Sequence, residues 1–228
     1  MNAVQSAAVS ALRVVCLLAL AALNARAESE GDYTFTVDNG KATITAFNTF
    51  YSGDLSIPAS LAGCPVTAIG PHAFYNCTGL NAVIIPGDVK RIGTGAFFRC
   101  SGMVSVSLPV GITNIADSAF SVCSSLVSIS IPSNITTIGD NAFYHCDGLT
   151  SVTIPGTVRA LGASAFEACT GLTSVTFQGN VTAIGDRAFC FCDSLTCALF
   201  EGDAPTTVGD QVFYGTLPTI YYLPETSG

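Results

Sequence analysis

The 228-residue chain has no tryptophan, two histidines and only eight Lys or Arg, and charged residues of both signs make up 11% of it. Each scarcity excludes something. His72 and His145 stand in different places of a repeating phrase with no acid or nucleophile converging on either, which leaves no catalytic triad and no histidine-built metal cage. No glycine-rich phosphate loop, zinc-ligand spacing or nucleophile elbow occurs, so the chain reads as non-catalytic, without cofactor or metal. Long apolar runs are missing too: Val14 to Leu23 is about ten residues, where roughly 20 are needed to span a bilayer. With Arg13 before it and Ala25-Arg26-Ala27 after it, that run reads as a signal peptide over residues 1–27, with a mature chain from Glu28 and no membrane insertion after cleavage. Removing the leader takes two arginines away and leaves six basic against 16 acidic residues, a formal charge of −10 that repels nucleic acid. The acidic side chains, among them Asp88, Asp117, Asp140, Asp186 and Asp210, are spread along the chain and not clustered.

Cysteine, by contrast, is plentiful and periodic. Cys77, Cys100, Cys123, Cys146, Cys169 and Cys192 are each 23 residues apart, inside the phrase Ile-Gly-x-x-Ala-Phe-x-x-Cys-x-x-Leu-x-x-Val-x-Ile-Pro. A fixed period of this length marks a solenoid of stacked coils. Aligned on the period, Ile69, Ile92, Ile115, Ile138, Leu161 and Ile184 form one column, and Phe74, Phe97, Phe120, Phe143, Phe166 and Phe189 form another. The columns headed by Leu80, Val83 and Ile85 complete the expected core. The alternation Val83-x-Ile85 predicts one short strand per coil, ended by Pro86, Pro109, Pro132 and Pro155, which remove a ladder donor. Phe and Cys at i and i+3 predict a short helix or 3₁₀ turn. Asp117, Asp140 and Asp186, two residues before the alanine, are placed to cap exposed amides, and the glycines headed by Gly70 and Gly93 to allow a tight corner.

An array of this kind needs closed ends. Tyr33–Val37 and Ala42–Phe47 alternate around Asp38-Asn39-Gly40 and predict a β-hairpin, followed by a strand-like Leu55-Ser56-Ile57-Pro58. The chain thus divides into the leader, an N-terminal cap over 28–66, six coils over 67–208 and a degenerate last repeat with a partial cap over 209–228. The fold class is an α/β repeat solenoid.

The phrase Ile138-Gly139-Asp140-Asn141-Ala142-Phe143-Tyr144-His145-Cys146-Asp147-Gly148-Leu149-Thr150-Ser151-Val152-Thr153-Ile154-Pro155 closely resembles the BspA-like, treponemal class of leucine-rich repeats. The resemblance covers about residues 55 to 223. It implies a leucine-rich-repeat arc whose parallel strands line one surface, on secreted or cell-surface proteins often linked to adhesion, matrix binding or co-aggregation.

Two surfaces are candidates for a ligand. The outward strand positions Ser105, Ser107, Ser128, Ser130, Ser151, Thr153, Ser174 and Thr176 form a hydroxyl-lined face able to engage a sugar or an extended peptide; equally, such hydroxyls keep an exposed sheet soluble. Tyr75, Phe98 and Tyr144, directly after the Phe column, form a candidate aromatic flank that would anchor a partner or simply pack on neighbouring loops. The Cys column has the spacing of stacked coils, about 4.8 Å, which a disulfide tolerates. Its side chains nevertheless point inward in parallel beside apolar neighbours, and a buried thiol ladder is expected. Cys64, Cys190 and Cys197 stand outside the column. The triplets beginning at Asn76, Asn134 and Asn180 match the glycosylation sequon, which chance explains in a repeat rich in these residues. The expected function is a secreted or surface recognition and adhesion module for an extracellular protein or glycan. The alternative is a structural spacer array with no specific ligand.

Overall fold

The backbone opens on an antiparallel meander that turns into the first coil. The computed structural model describes residues 27–223, so the expected leader lies, except for Ala27, outside the described residues. Strands β1 (Ala27–Glu30), β2 (Tyr33–Asp38) and β3 (Lys41–Phe47) pair antiparallel in order. The hairpin closes between Asp38 and Lys41 through Asn39 (φ 50°) and Gly40 (φ 70°), both left-handed as a two-residue turn matched to strand twist requires. Strands β4 (Gly53–Ser56), β5 (Ser60–Leu61) and β6 (Cys64–Ile69) follow. β4 pairs parallel with 80–84 and β6 with 91–92, so the cap starts two ladders at once.

Each ladder departs from the expected single strand per coil. The longer strands form two separate sheets, one of 53–56, 80–84 and 105–107 and one of 151–154, 174–177, 197–200 and 219–222, and the intervening stretch 128–131 is in neither. A second ladder of two-residue strands holds the Ile column, and it breaks between Ile92 and Ile115. Its strands at 114–115, 137–138, 160–161, 183–184 and 207–208 stay in register from coil to coil.

No helix of any kind is present among the described residues, which corrects both the expected α/β class and the expected helical turn of the Ala-Phe-x-x-Cys segment: the array is a β-solenoid. Its backbone explains why. His72 (φ 55°) and Asn76 (φ 59°) are left-handed, as are Arg99, Ser118, Val122, Asn141, His145, Ser164, Ala168, Arg187 and Phe191 in later coils. Two left-handed residues, four apart in each segment, stop helix propagation. The amides also divide their work. Those of Ala73, Tyr75 and Cys77 close turns onto Gly70, His72 and Phe74, while those of His72, Phe74 and Asn76 donate across to Thr94, Ala96 and Phe98 of the next coil. A helix would have turned the later of these donors back onto its own coil.

Packing follows the period. The Ile, Phe, Cys and Leu columns are buried throughout, and of the Ile85 column only Leu108 remains half-exposed. A further inward column, Val66, Val89, Ile112, Ile135, Val158 and Val181, is fully buried and went unread although it obeys the same period. The phenyl rings stack from Phe74 through Phe213 at centroid separations of 4.8 to 5.7 Å with planes within 15°. The corner glycines have ordinary φ; what excludes larger residues is proximity, since a Cβ on Gly93 would lie 2.6 Å from the Pro71 nitrogen of the preceding coil.

Replacing Phe120 with Ala is expected to cost about 3 to 5 kcal/mol through the cavity left in the ring stack, whereas Ser130→Ala is near neutral. Equal denaturant midpoints for the two variants would contradict the packing. Backbone strain makes an opposite pair: Val122→Gly relieves a β-branched residue at φ 60° and is expected to stabilise by about 1 kcal/mol, while Val127→Gly, at a position without left-handed backbone, destabilises by a similar amount. Thermal denaturation of both variants checks the sign.

Candidate functional site

Strand alternation turns the hydroxyl positions outward. In 151–154, Ser151 and Thr153 are exposed while Val152 and Ile154 are buried, and the next strand repeats the pattern with Ser174 and Thr176 half-buried. Register places like beside like: Ser151 pairs with Ser174 and Thr153 with Thr176. Ser105 and Ser107 are equally exposed on the first sheet, across from Ala82 and Ile84.

The break in the ladder makes this face more than a flat sheet. Beside 128–131, which pairs with neither neighbouring strand, lies a shallow cleft of about 370 Å³ lined by Ser128, Ile129, Ser130, Ile131, Ser151, Thr153, Pro155 and Gln178. Four of the eight anticipated hydroxyl residues, Ser128, Ser130, Ser151 and Thr153, therefore converge on one depression. Ser105 and Ser107 lie on the other side of the break, and Ser174 and Thr176 on the adjoining strand. Gln178 was missed. Its signal was nevertheless present, since it occupies the column in which the four preceding coils carry Pro86, Pro109, Pro132 and Pro155. Unlike proline it keeps an amide, which donates to Ile154 O at 2.9 Å, and it adds an exposed carboxamide at the rim of the cleft.

Residues 67–196 match the BspA type leucine-rich repeat region in six copies. The chain belongs to that family. No curated protein matches it in sequence. Among solved structures it is similar to a leucine-rich repeat protein of T. pallidum, at 29% identity over 83% of this chain and 89% of that one, with a TM-score of 0.74. A Bacteroides ovatus leucine-rich repeat protein shares the fold at 24% identity over 87% of this chain and 59% of that one, TM-score 0.69. So does the pneumococcal vaccine antigen PcpA, at 18% identity over 87% of this chain and 50% of that one, TM-score 0.55.

The aromatic flank of this BspA-type array is divided. Tyr75 and Phe98 stack at 5.7 Å with planes 12° apart, His72 stands edge-on to Tyr75, and the Arg99 guanidinium lies 5.5 Å from the Phe98 ring centre. In the next coil the same column holds Ser121, which is buried, so Tyr144 is separated from the pair and packs edge-on to His145 at 4.5 Å. Beyond it the column turns inward: Glu167 is buried and bound to Arg187 at 2.5 Å, and Cys190 is fully buried. The sequon asparagines are engaged in part by the stack itself. Asn134 Nδ2 donates to Val110 O at 2.7 Å, and Asn180 Nδ2 to Asp203 Oδ2 at 2.6 Å.

All nine cysteines of the described residues are free thiols, and the six of the column are fully buried. They are linked across coils in a way the spacing did not disclose. Cys100, Cys123, Cys146, Cys169 and Cys192 each donate from Sγ to the phenylalanine carbonyl of the preceding coil, at 3.1 to 3.3 Å. Asp117, Asp140 and Asp186 behave similarly: their Oδ1 atoms accept from the backbone amides of Asp140, Ala163 and Asp210, so each caps the following coil. Among the described residues no group of three or more His, Cys, Asp or Glu is placed to hold a metal ion.

Burial pushes the Cys77 thiol from 9.0 up to about 11 and that of Cys192 to about 12, and it raises those of Cys100, Cys123, Cys146 and Cys169 well above their ordinary value, with a neighbouring thiol adding to the effect. In the unfolded chain the same groups ionise near pH 9, so the native state binds more protons above that point. Stability is therefore expected to hold up to about pH 9 and to fall as pH rises toward 11 and 12, by as much as about 1.4 kcal/mol per pH unit for each thiol. Denaturant midpoints measured with reductant from pH 7 to 11 test this. The double variant Cys123→Ala with Cys146→Ala should flatten the alkaline fall, and an unchanged slope would remove the thiols as its cause.

Proposed function

We propose that this chain is a secreted or cell-surface recognition and adhesion module that holds an extracellular protein or glycan in the hydroxyl-lined cleft, without catalysis. The observation that carries the reading is a depression lined by four hydroxyl side chains, at the place where 128–131 leaves the strand ladder. Hydroxyls donate and accept hydrogen bonds alike, so a cleft of this composition suits ligands rich in either group, such as sugars or a main chain. Membership of a leucine-rich repeat family supports a binding role, since stacked repeats present extended surfaces of this kind. Export rests on the amino-terminal leader read from the sequence.

The experiment is a binding screen of the chain from residue 28 onward against immobilised matrix proteins and a glycan array. A specific ligand is expected, whose affinity falls at least tenfold when Ser130 and Thr153 are both changed to Phe, with the melting transition unmoved. Failure of every ligand, or binding indifferent to those two changes, would favour a spacer array and sink the cleft as the site.

A further inference from the structure

Basic side chains are scarce in this chain, yet three of the six outside the leader, Lys41, Lys90 and Arg91, line a single cleft of about 590 Å³ beside the N-terminal cap. The remaining lining is Asp38, Asp88, Thr43, Thr67, Pro65 and Ala68. The topology brings these together from three elements. Thr43 on β3 pairs with Ala68 on β6, and Ala68 pairs with Arg91 on the next short strand, so Thr43, Ala68 and Arg91 form one row across adjacent parallel strands. At about 4.8 Å per strand that row spans roughly 10 Å. Lys41 lies two residues before Thr43 on β3 and so faces the same side, while Asp38 closes the hairpin turn and Asp88 precedes Lys90.

The charges in this cleft are not spent on one another. The only ion pairs among the described residues are His145 with Asp147 and Arg187 with Glu167, both elsewhere. Lys90 gives one hydrogen bond to Gly87 O at 3.3 Å, and the side chains of Lys41 and Arg91 make none among the described residues. Three exposed cations are thus gathered in a strongly acidic molecule without a carboxylate within ion-pair distance of any of them.

We propose that this cleft binds an acidic sugar, a monosaccharide unit that carries one carboxylate amid several hydroxyls. The two aspartates decide between ligand classes. A polyanion such as nucleic acid or a heavily sulfated chain meets Asp38 and Asp88 inside the cleft and net negative charge beyond it. A neutral sugar leaves three ammonium and guanidinium groups without a counter-charge. A single carboxylate set between Lys41 and Arg91 uses the bidentate fork of the guanidinium, and the hydroxyls of the same unit donate to Asp38 and Asp88 and exchange hydrogen bonds with Thr43 and Thr67. The volume lies within the roughly 300 to 1,000 Å³ of small-molecule sites. This cleft shares no residue with the hydroxyl-lined one.

The test is a titration of the chain from residue 28 onward with N-acetylneuraminic acid and glucuronic acid at low ionic strength, with glucose and inorganic sulfate as comparators, read by calorimetry or ligand-observed magnetic resonance. Acidic sugar is expected to bind, glucose not to, and sulfate at least tenfold more weakly. Arg91→Ala and Lys41→Ala should each weaken the sugar at least tenfold and Asp88→Asn several-fold. Ser130→Phe with Thr153→Phe should leave it unchanged, which separates this site from the proposed recognition cleft. Lys41 is exposed beside the hairpin turn, so its variant reads the site even if Arg91→Ala perturbs the short strand. No binding of either acid, sulfate binding as tight as the sugar, or binding that survives both cation variants would overturn the assignment.

Discussion

Stacking in this molecule depends on a shared set of amides. In the segment that carries Phe and Cys, alternate backbone N–H groups close turns within a coil and the others reach the next coil, as His72, Phe74 and Asn76 do toward Thr94, Ala96 and Phe98. The left-handed residues that flank the phenylalanine are what make the alternation possible, and non-glycine residues adopt that conformation only where the surroundings enforce it. The phenyl stack and the thiol donors run along the same seam, so each new coil meets apolar area, ring contact and hydrogen-bond partners in one place. Both β-ladders are interrupted near the third coil, yet the seam passes through it: Phe97 N reaches Ala119 O and Phe120 N reaches Ala142 O, at 2.8 and 2.9 Å. Sheet pairing is therefore the replaceable part of this solenoid.

That hierarchy shapes the surface. The seam runs unbroken past 128–131, where the strand side leaves the ladder and Ser128, Ser130, Ser151 and Thr153 line one depression. The last coil illustrates the converse. Ile220 and Tyr222 continue the buried columns of Ala198 and Phe200, yet each is about half exposed because no further described coil covers them. Burial in a solenoid belongs to the neighbour as much as to the residue.

The cysteine column shows how an inert role can resemble a chemical one. Cysteines at a fixed period suggest disulfides or metal, but each thiol of the column is packed among apolar side chains and held protonated by burial, and all but Cys77 donate to a carbonyl one coil back. A small side chain with one weak donor fits that place, and threonine does so at the end of the array, where Thr216 Oγ1 donates to Cys192 O at 2.7 Å. The column assigns the interior, and the surface is left to positions that vary between coils.

The period, the identity of the inward columns, the hairpin at Asn39-Gly40 and the alternation of Ser151 to Ile154 were legible in one dimension, because each follows from local chemistry repeated at fixed spacing. The turn segment was misread as helical for a definite reason: Phe and Cys at i and i+3 satisfy a helix and a chain of tight turns equally, and the choice rests on amide partners 22 residues away, such as Thr94 for His72. Gln178 at the rim of one cleft and Arg91 facing Thr43 across Ala68 at the other lay beyond any pattern along the chain, because adjacency between coils arises only when the coil closes. Sequence specifies what each coil repeats; the stack specifies which departures from the repeat meet, and both clefts are lined by such meetings.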